Sequence, residues 1–441
     1  MSAEFNFTEY SNVLFSIIQE NLKDAGKPIV IGIHGEWGSG KSTLLNEIYS
    51  RVNESNYREE SQFIIPIRFN AWRFEKEKHL IIPLLKTLYY KLEKLSSTDN
   101  KKNSSILKYI KDGLFSIISG VEIEFEIGFA KMKYSGKDSV LYADKKEMER
   151  AKEAKKVKNF SQKYESIYFD IIHKIADLTR DNSVRFLFLI DDLDRCLPEN
   201  SVKMLESIKL FLDIPNCAFV MAIDKEVVEV GVEYHYKSYR DLDIQLPITG
   251  NEYLEKVITL PFMLPSIQKE RIKEFIESQE KYKNLFRDDT EGLLELFYNT
   301  VPAIPRKFIR TLDLYSFKLK LNESLNRKMD NRIILIASLI ELFIPKLYRY
   351  VKKEFERDKD SENYNKTFEI LINYKNSANA NEDKSILNMD IDDKNIQEIL
   401  NSFKQSRNKF NIDELFDFIL DYDEFQTDFK EYFIFNSGLG K

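Results

Sequence analysis

GIHGEWGSGKSTLLNEI, residues Gly32 to Ile48, joins two different patterns in one short span. Upstream, the residues after Pro28 read IVIGIH, a β-branched run that suits a strand buried on both faces. Downstream, Leu44, Leu45 and Ile48 recur at helical spacing. Between them lie Gly35, Gly38 and Gly40. A loop so rich in glycine lets backbone N–H groups approach an anion that side chains would block, and it accepts unusual dihedrals. The start of the following helix adds a partial positive charge.

Gly35, Gly40, Lys41 and Ser42 fit G-x-x-x-x-G-K-[ST], the phosphate-binding P-loop. In that pattern Lys41 reaches the β and γ phosphates of a nucleotide, and the Ser42 hydroxyl ligates Mg²⁺. Glu36, Trp37, Ser39 and Thr43 complete the segment around the phosphates. A P-loop implies a nucleotide but no particular reaction. A second half is needed, and RFLFLIDDLDR at Arg185–Arg195 supplies it. Phe186–Ile190 reads as another buried parallel strand, with two acids at its end. Asp191 is then placed to hold Mg²⁺ through water, and Asp192 to orient or deprotonate an attacking water. The competing reading of this pair is an acidic cap on the helix that follows. Asp191 is followed by DLD rather than by the D-x-x-G of GTPases, and AIDK at 222–225 is not the base-reading N-K-x-D. ATP is therefore the expected nucleotide.

The chain has 441 residues, enough for two or three domains. At 43% hydrophobic and 31% charged residues it is an ordinary folded composition, and a net charge of −6 makes no global argument for nucleic acid. Cys196 and Cys217 have no metal-ligand spacing and imply a reducing compartment. His34, His79, His173 and His235 form no metal or triad pattern and read as incidental. No signal peptide and no apolar run of bilayer length is visible, so a cytoplasmic protein without a membrane span is expected. The longest apolar run, Ile333–Ile344, carries Glu341, stops at Pro345 and reads as a buried helix.

Along the chain, a helix with Phe15, Ile18 and Leu22 on its inner face precedes the loop. FIIPIRFNAW, Phe63–Trp72, reads as a second strand, and CAFVMAID, Cys217–Asp224, as another. The prolines of ITLPFMLP mark an edge strand. The two tryptophans, Trp37 and Trp72, read either as core filling or as residues at the rim of the site. Val121–Tyr134 alternates like a strand or hairpin. Lys131–Lys158 holds ten basic against five acidic residues. It reads either as a solvated helix or as a docking surface for nucleic acid or an acidic partner. Asn376–Asn395 reads as a polar linker, and from Asn376 onward fourteen acids face seven bases.

GIHGEWGSGKST, FNAWRFE, LIDDLDRC, FVMAIDKEVV and YLEKVITLPFMLP together resemble the KAP P-loop NTPases over about residues 10–310. The resemblance implies an α/β fold: a parallel sheet sandwiched by helices, of the additional-strand class. It also implies that the FVMAID strand lies between the P-loop strand and the acidic strand. The domain expectation is an NTPase domain at 1–265 with an α/β insertion at about 75–184. A helical lid or sensor region follows at 266–375, and an acidic helical region at 376–441. Family members include membrane-associated signalling proteins and bacterial proteins of phage exclusion. Many carry membrane helices in the insertion; here the insertion is polar. The resemblance places Asp224 where such ATPases keep a polar γ-phosphate sensor, although a carboxylate would repel phosphate unless protonated, paired or bridged. It makes Arg306 a sensor arginine, with a surface role near a helix start as its alternative. Arg73 and Arg195 are further candidates, Arg195 either for pairing with Asp194 or for acting across a subunit boundary. The implied function is a Mg-ATP-dependent switch in bacterial anti-phage defence, acting as a homo-oligomer or on a separate effector protein. The alternatives are a DNA-associated motor and a nucleotide-binding scaffold with little turnover.

Overall fold

The computed structural model describes residues 5–23, 28–58, 63–77, 81–97, 176, 184–211, 214–235, 249–286, 292–357, 398, 410–422 and 424–436. The expected hairpin at Val121–Tyr134, the basic run Lys131–Lys158 and the linker Asn376–Asn395 lie outside them. The chain divides into two compact units, one of residues 6–265 and one of residues 266–441 with Phe5.

The strands of the first unit are β1 (Ile29–His34), β2 (Phe63–Asn70), β3 (Val184–Asp191), β4 (Cys217–Ile223) and β5 (Leu260–Met263). They form a five-stranded sheet in the order β2-β3-β4-β1-β5, and every neighbouring pair is parallel. The acidic strand β3 is thus separated from the P-loop strand β1 by β4, as the resemblance implied. All seven residues of β4 are buried, which explains its unbroken apolar sequence in the middle of the sheet. Pro66 and Pro261 sit on β2 and β5, the two edges, where a missing N–H costs no ladder bond.

The helices of this unit are α1 (Phe7–Lys23), α2 (Lys41–Arg58), α3 (Ile81–Ser97), α4 (Pro198–Phe211), α5 (Lys225–His235) and α6 (Gly250–Glu255). Leu84, Leu88 and Leu92 of α3, Met204 and Ile208 of α4, and Val228 of α5 share a core with Phe186, Phe188 and Phe219. The Phe188 and Phe219 rings stack at 4.9 Å. Helices α1 and α2 pack on each other and on the sheet. The inner face of α1 is Phe7, Ser11, Leu14, Ile18 and Leu22. It is rotated from the expected one, because Leu14 rather than the half-buried Phe15 takes the core position. A Thr249–Glu252 capping box starts α6.

In the second unit the described elements are helices: α7 (Lys269–Ser278), α8 (Leu293–Thr300), α9 (Pro305–Ser324), α10 (Asn331–Phe343), α11 (Pro345–Arg357), α12 (Ile412–Leu420) and α13 (Phe425–Asn436). Ile333 to Ile340 are buried without a break, so α10 is wrapped by its neighbours rather than laid on a surface. Asp330 caps its start, and Pro345 opens the next helix. No described helix is long and apolar enough to cross a membrane.

Candidate functional site

Parallel strands all deliver their C-terminal ends to one edge of the sheet, the edge where open α/β sheets bind ligands. Here that edge gathers His34, Asn70, Asp191 and the residue after β4, Asp224. Asn70 and Asp191 are direct register partners.

The loop from Gly35 to Gly40 turns β1 into α2. Gly38 and Gly40 have φ of +92° and +108°, a region that costs a side chain strain. At Gly40 a Cβ would also lie 2.3 Å from the Phe7 ring of α1. Phe7 is buried, so the ring is packed where the new methyl would intrude. Gly40→Ala is therefore expected to destabilise the fold by about 2–5 kcal/mol, strain and overpacking together. Urea unfolding measures it; a midpoint equal to the parent's would show that the ring is free to move aside. Glu36 and Trp37 are exposed, and the Ser39 hydroxyl is buried in the loop without a hydrogen-bond partner.

Lys41 is the first residue of α2. Its ammonium donates to the carbonyls of Gly35 at 2.7 Å and Glu36 at 3.2 Å. It also ion-pairs with Asp194 at 3.4 Å, both side chains being buried. Asp194 in turn accepts the Asp224 backbone N–H at 3.2 Å. So one carboxylate, not singled out in the sequence, ties the P-loop lysine to the end of β4. Phosphate oxygens entering the loop would compete with Asp194 for Lys41. Asp194→Asn removes that competitor and is expected to tighten Mg-ATP binding about tenfold, or 1.4 kcal/mol. Calorimetric titration tests this, and weaker binding would overturn it.

Ser42 and Thr43 occupy the first turn of α2. The Ser42 hydroxyl donates to Asp191 Oδ1 at 3.1 Å, across 149 residues of chain. The same oxygen accepts the Asp192 N–H at 2.9 Å. Burial pushes the Asp191 carboxyl above its usual range, the Ser42 hydrogen bond works against that, and nearby Asp192 and Asp194 add to it. A hydroxyl beside a carboxylate is a hard oxygen set, the kind Mg²⁺ takes together with waters and phosphates. The residues present fit that ion.

Asp192 leaves β3 in a left-handed conformation, φ +58°. It starts a one-turn 3₁₀ helix, Leu193–Arg195, but its side chain makes no capping bond. Instead one carboxylate oxygen turns to β2 and the other to the last residue of the same turn. Oδ2 accepts the Asn70 amide at 2.6 Å, and Oδ1 pairs with Arg195 Nε at 2.6 Å. Arg195 therefore pairs with Asp192, not with Asp194 as expected, because the 3₁₀ turn brings i and i+3 side chains to one side. Trp37 and Trp72 are 61% and 51% exposed, so neither is core filling.

His34 is buried, and burial first, then Lys225 and Lys41, lower its pKa, so it is a neutral imidazole. Burial likewise pushes Cys196 up to about 12 and Cys217 upward, which keeps both as thiols. His79 and His173 lie outside the described residues. Arg306 sits in the first turn of α9, in the second unit.

The model of the KAP family P-loop domain matches residues 7–410. The phage T7 exclusion protein of Escherichia coli K12 is 23% identical over 339 residues, 70% of this chain and 39% of that protein. The chain thus spans about two fifths of that relative's length. An uncharacterized protein of Methanocaldococcus jannaschii is 27% identical over 181 residues, 35% of this chain and 88% of that protein. Among solved structures, the Aeropyrum pernix ORC2 protein aligns over 98% of this chain and 86% of its own, at 12% identity and a TM-score of 0.37. That superposition carries no functional weight. With the P-loop, its acidic partner strand and the strand order all in one sheet, and the family model running through both units, the chain belongs to the KAP family of P-loop NTPases.

Proposed function

We propose that the chain is a Mg²⁺-dependent ATPase whose nucleotide state works as a switch in defence against phage, acting by self-assembly or on a separate effector protein. The observation that carries the catalytic part is the Ser42–Asp191 contact at 3.1 Å, with Lys41 preceding Ser42 in the chain and the Asp192 N–H bonded to the same Asp191 oxygen. Lys41 would hold the β and γ phosphates. Mg²⁺, held by Ser42 and Asp191, would offset the charge gathering on the phosphate oxygens. Asp192 would orient a water and take its proton. The water oxygen bonds to the γ phosphorus as the bond to the bridging oxygen breaks, leaving ADP and phosphate. Asp224 would sense the γ phosphate. The defence part is supported by the name of one relative, the phage T7 exclusion protein, and the chain spans 39% of it.

A DNA-associated motor has the Lys131–Lys158 run as its support. The deciding experiment is ATP turnover by the purified chain with and without DNA, beside its mass in solution with and without Mg-ATP. Steady phosphate release that DNA leaves unchanged, with a change of mass on Mg-ATP, is the expected result. Turnover that rises with DNA and falls steeply with salt would favour the motor. Binding without release would leave a scaffold.

A further inference from the structure

Resting on that reading, the surroundings of Asp192 identify a residue with no place in the proposed chemistry. Arg195 stands where three elements meet. Its Nε is 2.6 Å from Asp192 at the end of β3. Its guanidinium carbon lies 5.5 Å from the ring centre of Trp37 in the phosphate loop and 5.8 Å from that of Trp72 beyond β2. Both distances are within the range of cation–π attraction. The Trp72 turn is itself capped by Asn70, which accepts the Arg73 N–H and donates to Asp192. One cation thus shares its contacts among the phosphate loop, the end of β2 and the carboxylate meant to orient water.

We propose that Arg195 is a positioning residue: it holds Asp192 in a resting pair and releases it when Trp37 moves with the phosphate loop. The loop must adjust as phosphate oxygens draw Lys41 away from the Gly35 and Glu36 carbonyls, and Glu36 is bonded directly to Trp37 in the chain. A shift of Trp37 withdraws one face of the site that holds the guanidinium. Asp192, held only by Asn70 afterwards, turns a free oxygen toward water. The two tryptophans are exposed because their partner is a cation at the rim rather than the core. The pair Arg195–Asp192 is local, three residues apart, so the relay needs no movement of the sheet.

The relay makes Trp72 respond to nucleotide only through Arg195, whereas Trp37 responds directly. The test uses two single-tryptophan proteins, Trp37→Tyr, whose ring keeps a cation–π face toward Arg195, and Trp72→Phe, both excited where tyrosine does not absorb and titrated with a non-hydrolysable ATP analogue and Mg²⁺, each with and without Arg195→Gln. With Arg195 present both tryptophans should change emission saturably. With Arg195→Gln, Trp37 should still respond and the Trp72 response should vanish. In the two-tryptophan chain Arg195→Gln should tighten binding of the analogue about tenfold, since the nucleotide no longer has to break a resting restraint before it is fully bound. A mere brace would leave the affinity unchanged or weaken it. If Arg195→Gln does not fold, Arg195→Lys carries the test, because lysine keeps the charge but not the flat fork; its Trp72 response should fall by more than half. A Trp72 response that survives undiminished, a Trp72 that is silent with Arg195 present, or an affinity no tighter than the parent's overturns the relay while the nucleotide reading stands. If equilibrium dialysis finds no nucleotide bound and both tryptophans are silent, the nucleotide reading itself has failed.

Discussion

Lys41→Ala is expected to weaken Mg-ATP binding by on the order of 100-fold or more, about 2.7 kcal/mol, and to leave no measurable turnover. The lysine is the cation at the head of α2, buried, and held by carbonyls that phosphate oxygens would replace. Its loss has a second effect that must be separated from the first. Asp194 would remain buried without its counter-ion, and an orphaned buried charge costs about 3–5 kcal/mol. The single variant should therefore also unfold at lower temperature. The double variant Lys41→Ala with Asp194→Asn removes both charges and should recover much of that stability without recovering binding. Calorimetric titration and thermal unfolding of the three proteins check both halves. Binding restored in the double variant would mean that the single variant failed through folding, and that Lys41 is not the phosphate contact.

Asp192→Asn is expected to keep nucleotide binding within about threefold while hydrolysis falls by about 10²–10⁴, the usual contribution of a general base. The amide is nearly the same size, and its oxygen still accepts the Asn70 amide hydrogen. It lacks the charge that pairs with Arg195 and the capacity to take up a proton from water. The split between unchanged binding and lost turnover is the diagnostic result. A variant that hydrolyses ATP at the parental rate would remove Asp192 from the chemistry and leave Asp191, Asp194 and Asp224 as the acids to examine.

The strands, the P-loop and the acidic pair are legible in the sequence because each is a local pattern. IVIGI and CAFVMAI are uninterrupted apolar runs, and such runs become buried interior strands. The prolines of the β5 stretch exclude it from the middle of any sheet, and it lies at an edge. Glycine spacing before a lysine and a hydroxyl needs no tertiary information to be read as a phosphate loop. The helix α1 shows the limit of this. Periodicity identifies it, but which of Leu14 and Phe15 faces inward depends on the sheet and helix it packs against.

Only the tertiary structure decided how the charges pair. Asn70 and Asp192 are 122 residues apart in sequence, and they meet because β2 and β3 are parallel neighbours with Asn70 in register with Asp191. Asp194 reaches Lys41 because β4 sits between their strands while the turn after β3 folds back over it. In DDLDR the sequence suggests roles for Asp191 and Asp192 but not the partners that any of the three acids takes. A left-handed residue at Asp192 followed by one 3₁₀ turn sends one to Ser42, one to Asn70 and Arg195, and one to Lys41. Apolar patterns are set by the water each residue must avoid, so they are written along the chain. The pairing of charges is set by which strand ends lie side by side, and strand order is a property of the folded sheet.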